Sequence, residues 1–501
     1  MHKYSKYESF PAVVGLIGAA VALTALLVSC GGEPEESDPA LGPASGTSNI
    51  AETNTVSATE TPSSAETAPD SASFAGIAAE PAPSANAATA ATAEVTENAE
   101  TWERVVYSPE DRSDGICYVY TERVYCDGNP EPETERVVLF RAPANAGNVV
   151  IPDGVTEIGS SVFKDCTELE SVVIPDSVRK IGGSAFQNCT NLKSVTLPDS
   201  VREIGGSAFQ YCAGLKSLTL PDGVTIIGES AFQNCTGLES VAIPNSVSLI
   251  SGLAFLHLPN LKTVTIPVHA SIGGRAFEGC PKLESVTLTE GGAVAPLRED
   301  AYIGSSAFAN CSSLSQFEFP KGIRKISSSA FSRCDELICI EIPDGVTELG
   351  KNVFWGCCRL ESVVIPNSVD LIPEQAFQNL SSCSNLRFVT IPVHAAIGAR
   401  AFEGCTKLES VTLTEGGTIA PTREDAFIGE GAFVSCRSLK RIEFPEGIRS
   451  IEAGAFSGCA ALKEVAIPDS VTEIGEGAFQ GSPCEESVRK QMESRNTSVQ
   501  R

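Results

Sequence analysis

Ser184–Gly206 reads SAFQNCTNLKSVTLPDSVREIGG, and the chain returns to this text from residue 163 almost to its end. Aligned on the phenylalanine, the copies fall at Phe163, Phe186, Phe209, Phe232, Phe255, Phe277, Phe308, Phe331, Phe354, Phe377, Phe402, Phe433, Phe456 and Phe479, and nine of the thirteen intervals are 23 residues. A fixed period of that size marks a solenoid, in which each coil buries its apolar face only against its neighbours.

Within the type repeat the apolar residues are Phe186, Cys189, Leu192, Val195, Leu197, Val201 and Ile204, and Leu-x-x-Val-x-Leu alternates as a half-buried strand does. One short strand per coil is expected, every strand running in the same sense, so that they stack as a parallel sheet about 4.8 Å apart. Fourteen coils at that spacing predict an array roughly 65–70 Å long. Pro175, Pro198, Pro221 and their equivalents through Pro468 close the strand, because proline lacks the N–H that a central ladder needs. Gly159, Gly182, Gly205 and Gly228 mark a second corner, where a compact or positive-φ residue fits. The remaining Ser-Ala-Phe-x-x-Cys is expected as a short helical or 3₁₀ turn on the convex side, with the phenylalanines stacked coil upon coil.

This pattern resembles the BspA-type leucine-rich repeat family, whose units read approximately Leu-x-x-Ile-x-Ile-Pro-x-x-Val-x-x-Ile-x-x-x-Ala-Phe-x-x-Cys. The resemblance covers roughly Val149 to Cys484, two thirds of the chain. It implies an α/β repeat solenoid, a right-handed leucine-rich repeat. It also implies display on the surface of a host-associated microbe and adhesion to host extracellular or cell-surface proteins or to other bacterial surfaces, an inference by analogy that is weaker than the fold.

At the N-terminus, Lys3 and Lys6 precede an uncharged stretch from Ala12 to Ser29 that ends in Leu27-Val28-Ser29-Cys30. This is similar to a bacterial lipoprotein signal peptide over residues 1–29, with Cys30 as the lipidated residue. The competing reading is a single transmembrane helix that stays in place, which eighteen apolar or small residues are just long enough to form. Small residues leading to a cysteine at the end of the run favour processing, and several acyl chains give stable anchoring where one is marginal. The expected location is therefore the bacterial outer membrane, held by the lipid and exposed on the cell surface. Residues 31–103 are almost entirely Ala, Ser, Thr, Glu, Pro, Gly, Asn and Asp, too poor in apolar surface to offset chain ordering, so residues 30–103 are expected as a disordered tether.

Residues 104–148 lack the repeat and are expected as an N-terminal β cap, with Ile116–Tyr120 and Arg123–Cys126 as the arms of a hairpin. Cys117 and Cys126 are candidates for a disulfide across it in an oxidising compartment, a pairing that spacing alone leaves open. The solenoid is assigned to residues 149–484. The charged tail, residues 485–501, lacks the strand pattern and makes a poorer cap.

Eleven of the eighteen cysteines, Cys166 through Cys459, stand three residues after a repeat phenylalanine, and Leu258 and Leu380 take the same slot in other coils. Exchange with leucine marks a buried apolar position. A one-dimensional ladder of thiols does not converge as four zinc ligands must, so no metal and no cofactor is expected. Cys339, Cys358, Cys383 and Cys484 lie off the ladder and are the better candidates for reactivity.

A longer period overlies the first. Ser240–Cys357 is echoed from Ser362 to about Ser482, with phenylalanines 125 residues apart, as in Phe277 and Phe402. Each copy carries a coil eight residues longer than standard, opened by TLTEGG at Thr287 and Thr412. Insertions in solenoids often lie where partners bind. Glu290, Arg298, Glu299 and Asp300, with Glu415, Arg423, Glu424 and Asp425, are therefore candidate loop residues whose carboxylates suit a hard cation such as calcium. No calcium-loop consensus is present, and an ordinary solvated loop copied by duplication accounts for the same residues. His269 and His394 supply one imidazole per copy and read as turn residues.

Outward strand positions are mostly small or charged, whereas binding hot spots favour Trp, Tyr and Arg. The exception is Ile338, Cys339, Trp355, Arg387 and Phe388, the candidate protein-binding cluster, with packing at the convex edge as the other reading of Trp355. No GxSxG, P-loop, HExxH or dinucleotide fingerprint occurs, and the chain has only four histidines, so catalysis is not expected. A formal charge of −27 repels nucleic acid. The leading expectation is an adhesin; the alternative is an envelope or periplasmic scaffold that never meets a host. A calcium-dependent carbohydrate binder acting through the long loops is a third, remoter reading.

Overall fold

The structure, a computed structural model, describes residues 105–107, 118–124, 134–141, 147–290, 300–379, 384–414, 426–445 and 447–499. The expected signal peptide and tether, Cys30, Cys117, Cys126 and Cys383, and the loop residues Arg298, Glu299, Glu415, Arg423, Glu424 and Asp425 lie outside them.

The repeat folds as a β-solenoid whose strands pair in parallel, each residue opposite its equivalent in the next coil: Ser171 with Ser194, Val172 with Val195, Val173 with Thr196. The seven apolar positions of the type repeat all point inward, none more than 7% exposed. Phenylalanines form one continuous stack, from Phe163 and Phe186 with ring centroids 4.9 Å apart to Phe456 and Phe479 at 5.0 Å, with planes nearly parallel throughout. Only a single apolar column of constant composition can stack this way, which is why the phenylalanine period is so strict.

Most coils carry two strands, not the one expected. Besides Ser194–Thr196 and its equivalents, Glu203–Ile204, Lys180–Ile181 and their counterparts form a second parallel sheet. Gly182 and Gly205 close that second strand because of crowding, not positive φ. A Cβ on Gly182 would lie 2.6 Å from the Ser160 backbone nitrogen, and one on Gly205 the same distance from that of Gly183. This sheet runs from the cap to Glu348–Leu349 and resumes as a separate sheet at Leu371–Ile372. The interruption has a covalent cause. In the neighbouring coils Gly350 N donates to Ile326 O and Gly398 N to Ile372 O, both near 2.7 Å, but the equivalent residue is Pro373, which has no N–H to give Leu349.

The expected helical or 3₁₀ turn is instead a ribbon of hydrogen-bonded turns. Six consecutive N–H groups alternate: Ser184, Phe186 and Asn188 donate to Gly206 O, Ala208 O and Gln210 O of the next coil, while Ala185, Gln187 and Cys189 donate back three residues within their own. A helix would keep all six inside the coil; alternation sends half across and welds the stack. The geometry places Ser184 at φ 56° and Asn188 at φ 64°, the left-handed region that Asn and Gly tolerate best. Among the described residues the one helix is Glu485–Val499.

Both ends are closed. At the N-terminus β1 (Val105–Tyr107), β2 (Tyr118–Val124) and β3 (Thr134–Arg141) form an antiparallel set, and β3 joins the second sheet in parallel with Glu157–Ile158. Tyr118–Tyr120 and Arg123–Val124, drawn from the two runs expected as hairpin arms, thus belong to one continuous strand, β2. At the other end the charged tail is a better cap than its composition suggested. Val488 of the C-terminal helix is buried, Met492 packs on the core, and Cys484 just before the helix is fully buried. Gln491 Nε2 donates to Val465 O at 3.0 Å and its Oε1 accepts from Ile467 N at 3.3 Å; Arg495 donates to Pro468 O and Ile467 O. Side chains thereby occupy the backbone groups of the last coil, which would otherwise form an open edge.

Candidate functional site

The outward face of the Ser-Val-x strands is a regular grid. Three exposed columns run along it: the residue before each strand and two that flank the inward valine. In the first column neighbouring coils exchange charges, Lys193 with Glu170 at 2.6 Å and Lys262 with Glu239 at 2.9 Å. Lys262 bonds to the Glu239 carboxyl and holds it below the usual carboxylate range. Such exposed pairs add little stability.

The grid changes character from Cys339 onward. Register places Cys339, Ser362, Phe388 and Ser410 in one column and Glu341, Val364, Thr390 and Thr412 in the next. Phe388 is 48% exposed, Val364 43% and Ile338 38%. Adjacent strands lie about 4.8 Å apart, so Cys339 and Phe388 stand roughly 10 Å from each other across the small Ser362. Arg387 closes one side: its guanidinium lies 5.2 Å from the Phe388 ring and bonds to Glu409 Oε1, which also neutralises Lys440 through Oε2 at 2.9 Å. The patch is therefore apolar at its centre, with its basic groups already tied to Glu409. The Cys339 thiol is free, and burial followed by Glu341 and Glu361 pushes its pKa up.

Ile338, Cys339, Arg387 and Phe388 are thus brought together on the sheet. Trp355 is not with them; it lies in the turn ribbon, where Arg333 covers it at 5.1 Å and its indole N–H donates to Gln378 Oε1. Val364 completes the sheet patch and was missed, although counting two residues on from Ser362 would have placed it in an outward column.

The thiol ladder is buried and free. From Cys189 onward each ladder sulfur donates to a phenylalanine carbonyl of the preceding coil, as Cys189 Sγ does to Phe163 O at 3.0 Å and Cys212 Sγ to Phe186 O at 3.1 Å. Burial pushes the Cys357, Cys405 and Cys459 thiols up to about 12. Of the off-ladder cysteines, Cys358 is disulfide-bonded and Cys484 belongs to the core.

In the first long loop, Glu290 pairs with Lys321 at 2.5 Å, which lowers the carboxyl, and Asp300 begins the next described segment. Among the described residues no group of three His, Cys, Asp or Glu is placed to hold a metal ion. His269 and His394 are buried in turns with Nε2 unpartnered, and burial lowers the His269 pKa against a hydrogen bond to the Asn245 backbone. No helix of the described residues is long and apolar enough to cross a membrane.

Comparison with known proteins agrees with this geometry. The model of the BspA type leucine rich repeat region matches in six copies over residues 156–284, 301–427 and 426–497. A leucine-rich repeat protein from Bacteroides ovatus is 32% identical, with 72% of this chain and 90% of that one covered and a TM-score of 0.54. The T. pallidum leucine-rich repeat protein is 27% identical over 46% of this chain and 85% of its own, TM-score 0.31. The pneumococcal vaccine antigen PcpA is 20% identical over 77% and 96%, TM-score 0.43. No curated protein matches the chain.

Proposed function

This chain belongs to the BspA-type leucine-rich repeat family, and from that premise we propose that it is a bacterial surface lipoprotein, anchored through Cys30, whose sheet face binds a protein on a host or on another bacterium. The observation that carries the binding surface is the exposed group of Ile338, Cys339, Val364 and Phe388, which adds an aromatic ring to a face whose other large exposed apolar side chains among the described residues are Val150 and Val173. Contiguous apolar exposure rimmed by polar groups is the mark of an interaction surface, and an aromatic residue flanked by an arginine is the composition of a binding hot spot. Anchoring rests on the Leu-Val-Ser-Cys run at Leu27–Cys30.

The test has two parts. Proteinase K is added to intact cells and the repeat domain is followed beside a periplasmic control. Loss of the domain with the control intact supports display; protection until the envelope is broken refutes it and leaves an internal scaffold. Adhesion of the displaying cells to immobilised host extracellular proteins and to partner bacteria is then compared with that of a Phe388→Ser, Ile338→Ser variant. Unchanged adhesion removes the patch from the account.

A further inference from the structure

We propose that the slot beside Trp355 on the turn ribbon is a subsite for a neutral saccharide, distinct from the sheet-face patch. The position after the repeat phenylalanine is glutamine in many coils, and these amides bond to each other along the stack: Gln187 donates to Gln210, and Gln210 Nε2 to Gln233 Oε1 at 2.6 Å. At residue 355 an indole replaces the amide, while the preceding coil carries only Ser332. A large ring beside a small residue leaves an open slot of about 430 Å³, lined by Ser329, Ser332, Asn352, Trp355, Gln375 and Gln378.

Three properties of this lining select the ligand. First, the ring is fixed. Trp355 Nε1 donates to Gln378 Oε1 at 3.1 Å; that oxygen also accepts from Gln375 Nε2 at 2.9 Å, and Gln378 Nε2 donates to Glu403 Oε2 at 2.5 Å. Gln378 is 2% exposed, so the network is anchored in the protein, and a preorganised plate loses little rotamer freedom on binding. Second, among the described residues the side chains of Ser329, Ser332 and Asn352 have no hydrogen-bond partner. Hydroxyls and amides both donate and accept, matching a ligand whose rim is hydroxyl groups. Third, the residues lining the slot are all uncharged, and the one charged group over the ring is the Arg333 guanidinium, 5.1 Å from its centroid, so the slot offers no acidic partner and disfavours cations. A flat ring with apolar C–H faces and a hydroxyl rim meets all three demands, since an indole offers an apolar face beside polar neighbours. The volume falls within the range of small-molecule sites and suits a short segment of a glycan.

The experiment uses the full chain. Trp102 and Trp355 are its two tryptophans, so a Trp102→Phe background leaves indole fluorescence to report residue 355 alone. Maltotetraose, cellotetraose, xylotetraose and mannotetraose are titrated to about 10 mM, a range that captures weak single-subsite affinities. At least one is expected to change the fluorescence saturably. In isothermal titration of that saccharide, Trp355→Gln is expected to weaken binding by at least about tenfold. Glutamine stands at the same position in the next coil, as Gln378, so this variant suits the ribbon and should fold. Asn352→Ala is expected to weaken binding severalfold and Phe388→Ser to leave it unchanged. Absence of binding by all four sugars overturns the proposal, as does undiminished binding by Trp355→Gln, or loss caused by Phe388→Ser but not by Trp355→Gln.

Discussion

Replacing Phe331 by alanine should divide the solenoid into two folding units. The ring is fully buried, stacked on Phe308 at 5.5 Å and Phe354 at 5.6 Å, and met edge-on by Phe317 at 4.8 Å and Phe319 at 5.8 Å. Deleting a buried phenylalanine costs about 3–5 kcal/mol through lost transfer energy and the cavity left behind; four aromatic partners place this site at the upper end, about 5 kcal/mol. Phe163 stands at the end of the stack with Phe186 as its partner in the column, so Phe163→Ala belongs near about 3 kcal/mol. Position matters more than the difference in size. Stability in a solenoid is a sum of coil terms and nearest-neighbour interfaces, so a loss in the middle uncouples two arms, whereas a loss at the end shortens one. Urea unfolding followed by circular dichroism should show two transitions for Phe331→Ala and one, at a lower midpoint, for Phe163→Ala. Hydrogen exchange should lose protection in the coils around Phe308 and Phe354 first. A single unshifted transition for Phe331→Ala, or loss of protection confined to coils remote from it, would refute the reasoning.

Alkylation of the native chain near pH 8 should modify Cys339 and spare the ladder, because a thiol at about 12 is almost wholly protonated there and has no access; mass spectrometry of labelled peptides checks this, and early labelling of Cys357 or Cys405 contradicts it. Burial lowers the His269 pKa, so the unfolded chain binds that proton more readily, and stability present above about pH 6.5 is lost as pH falls toward the folded value. Urea midpoints between about pH 7 and 5 should therefore slope less in His269→Gln than in the parent, and equal slopes would sink the assignment. Gln491→Ala with Arg495→Ala should open the last coil's edge and produce dimers or larger species on size-exclusion chromatography with light scattering; a monomer with unchanged exchange at Val465 and Ile467 would show that the two side chains do not guard it.

What the chain disclosed in advance follows from how many residues each feature spans. The phenylalanine and cysteine columns repeat over the whole array, and Leu192, Val195 and Leu197 alternate over a full strand, so the parallel stack and its core were readable. The second strand was not, because Glu203–Ile204 is only two residues long and shows no alternation. Ser-Ala-Phe-x-x is too short to separate a helix from a turn by periodicity; the usable signal was Asn188, Gly279 and Gly404 two residues past the phenylalanine, all at positive φ. The C-terminal cap hid in a charged tail, although Val488 and Met492, four apart, mark one helical face. Ile338, Cys339, Arg387 and Phe388 were legible because outward columns are countable. The separation of Trp355 from them was not, since neighbours in sequence fall on different faces of one coil.

The alternating N–H groups of the turn ribbon also govern how such a chain can change through descent. Ser184, Phe186 and Asn188 find acceptors at Gly206, Ala208 and Gln210 through main-chain position alone. An unequal exchange between two gene copies that adds or removes a whole number of coils leaves every donor matched and every ring with a neighbour. The echo that carries Phe277, Phe308, Phe331 and Phe354 onto Phe402, Phe433, Phe456 and Phe479 fits such an event, and the stack runs through its junction at Phe354, Phe377 and Phe402 with rings 5.4 and 5.2 Å apart. Array length is thus free to drift in whole coils, while the two ends, each built from residues that occur once, cannot be copied inward without halting the stack.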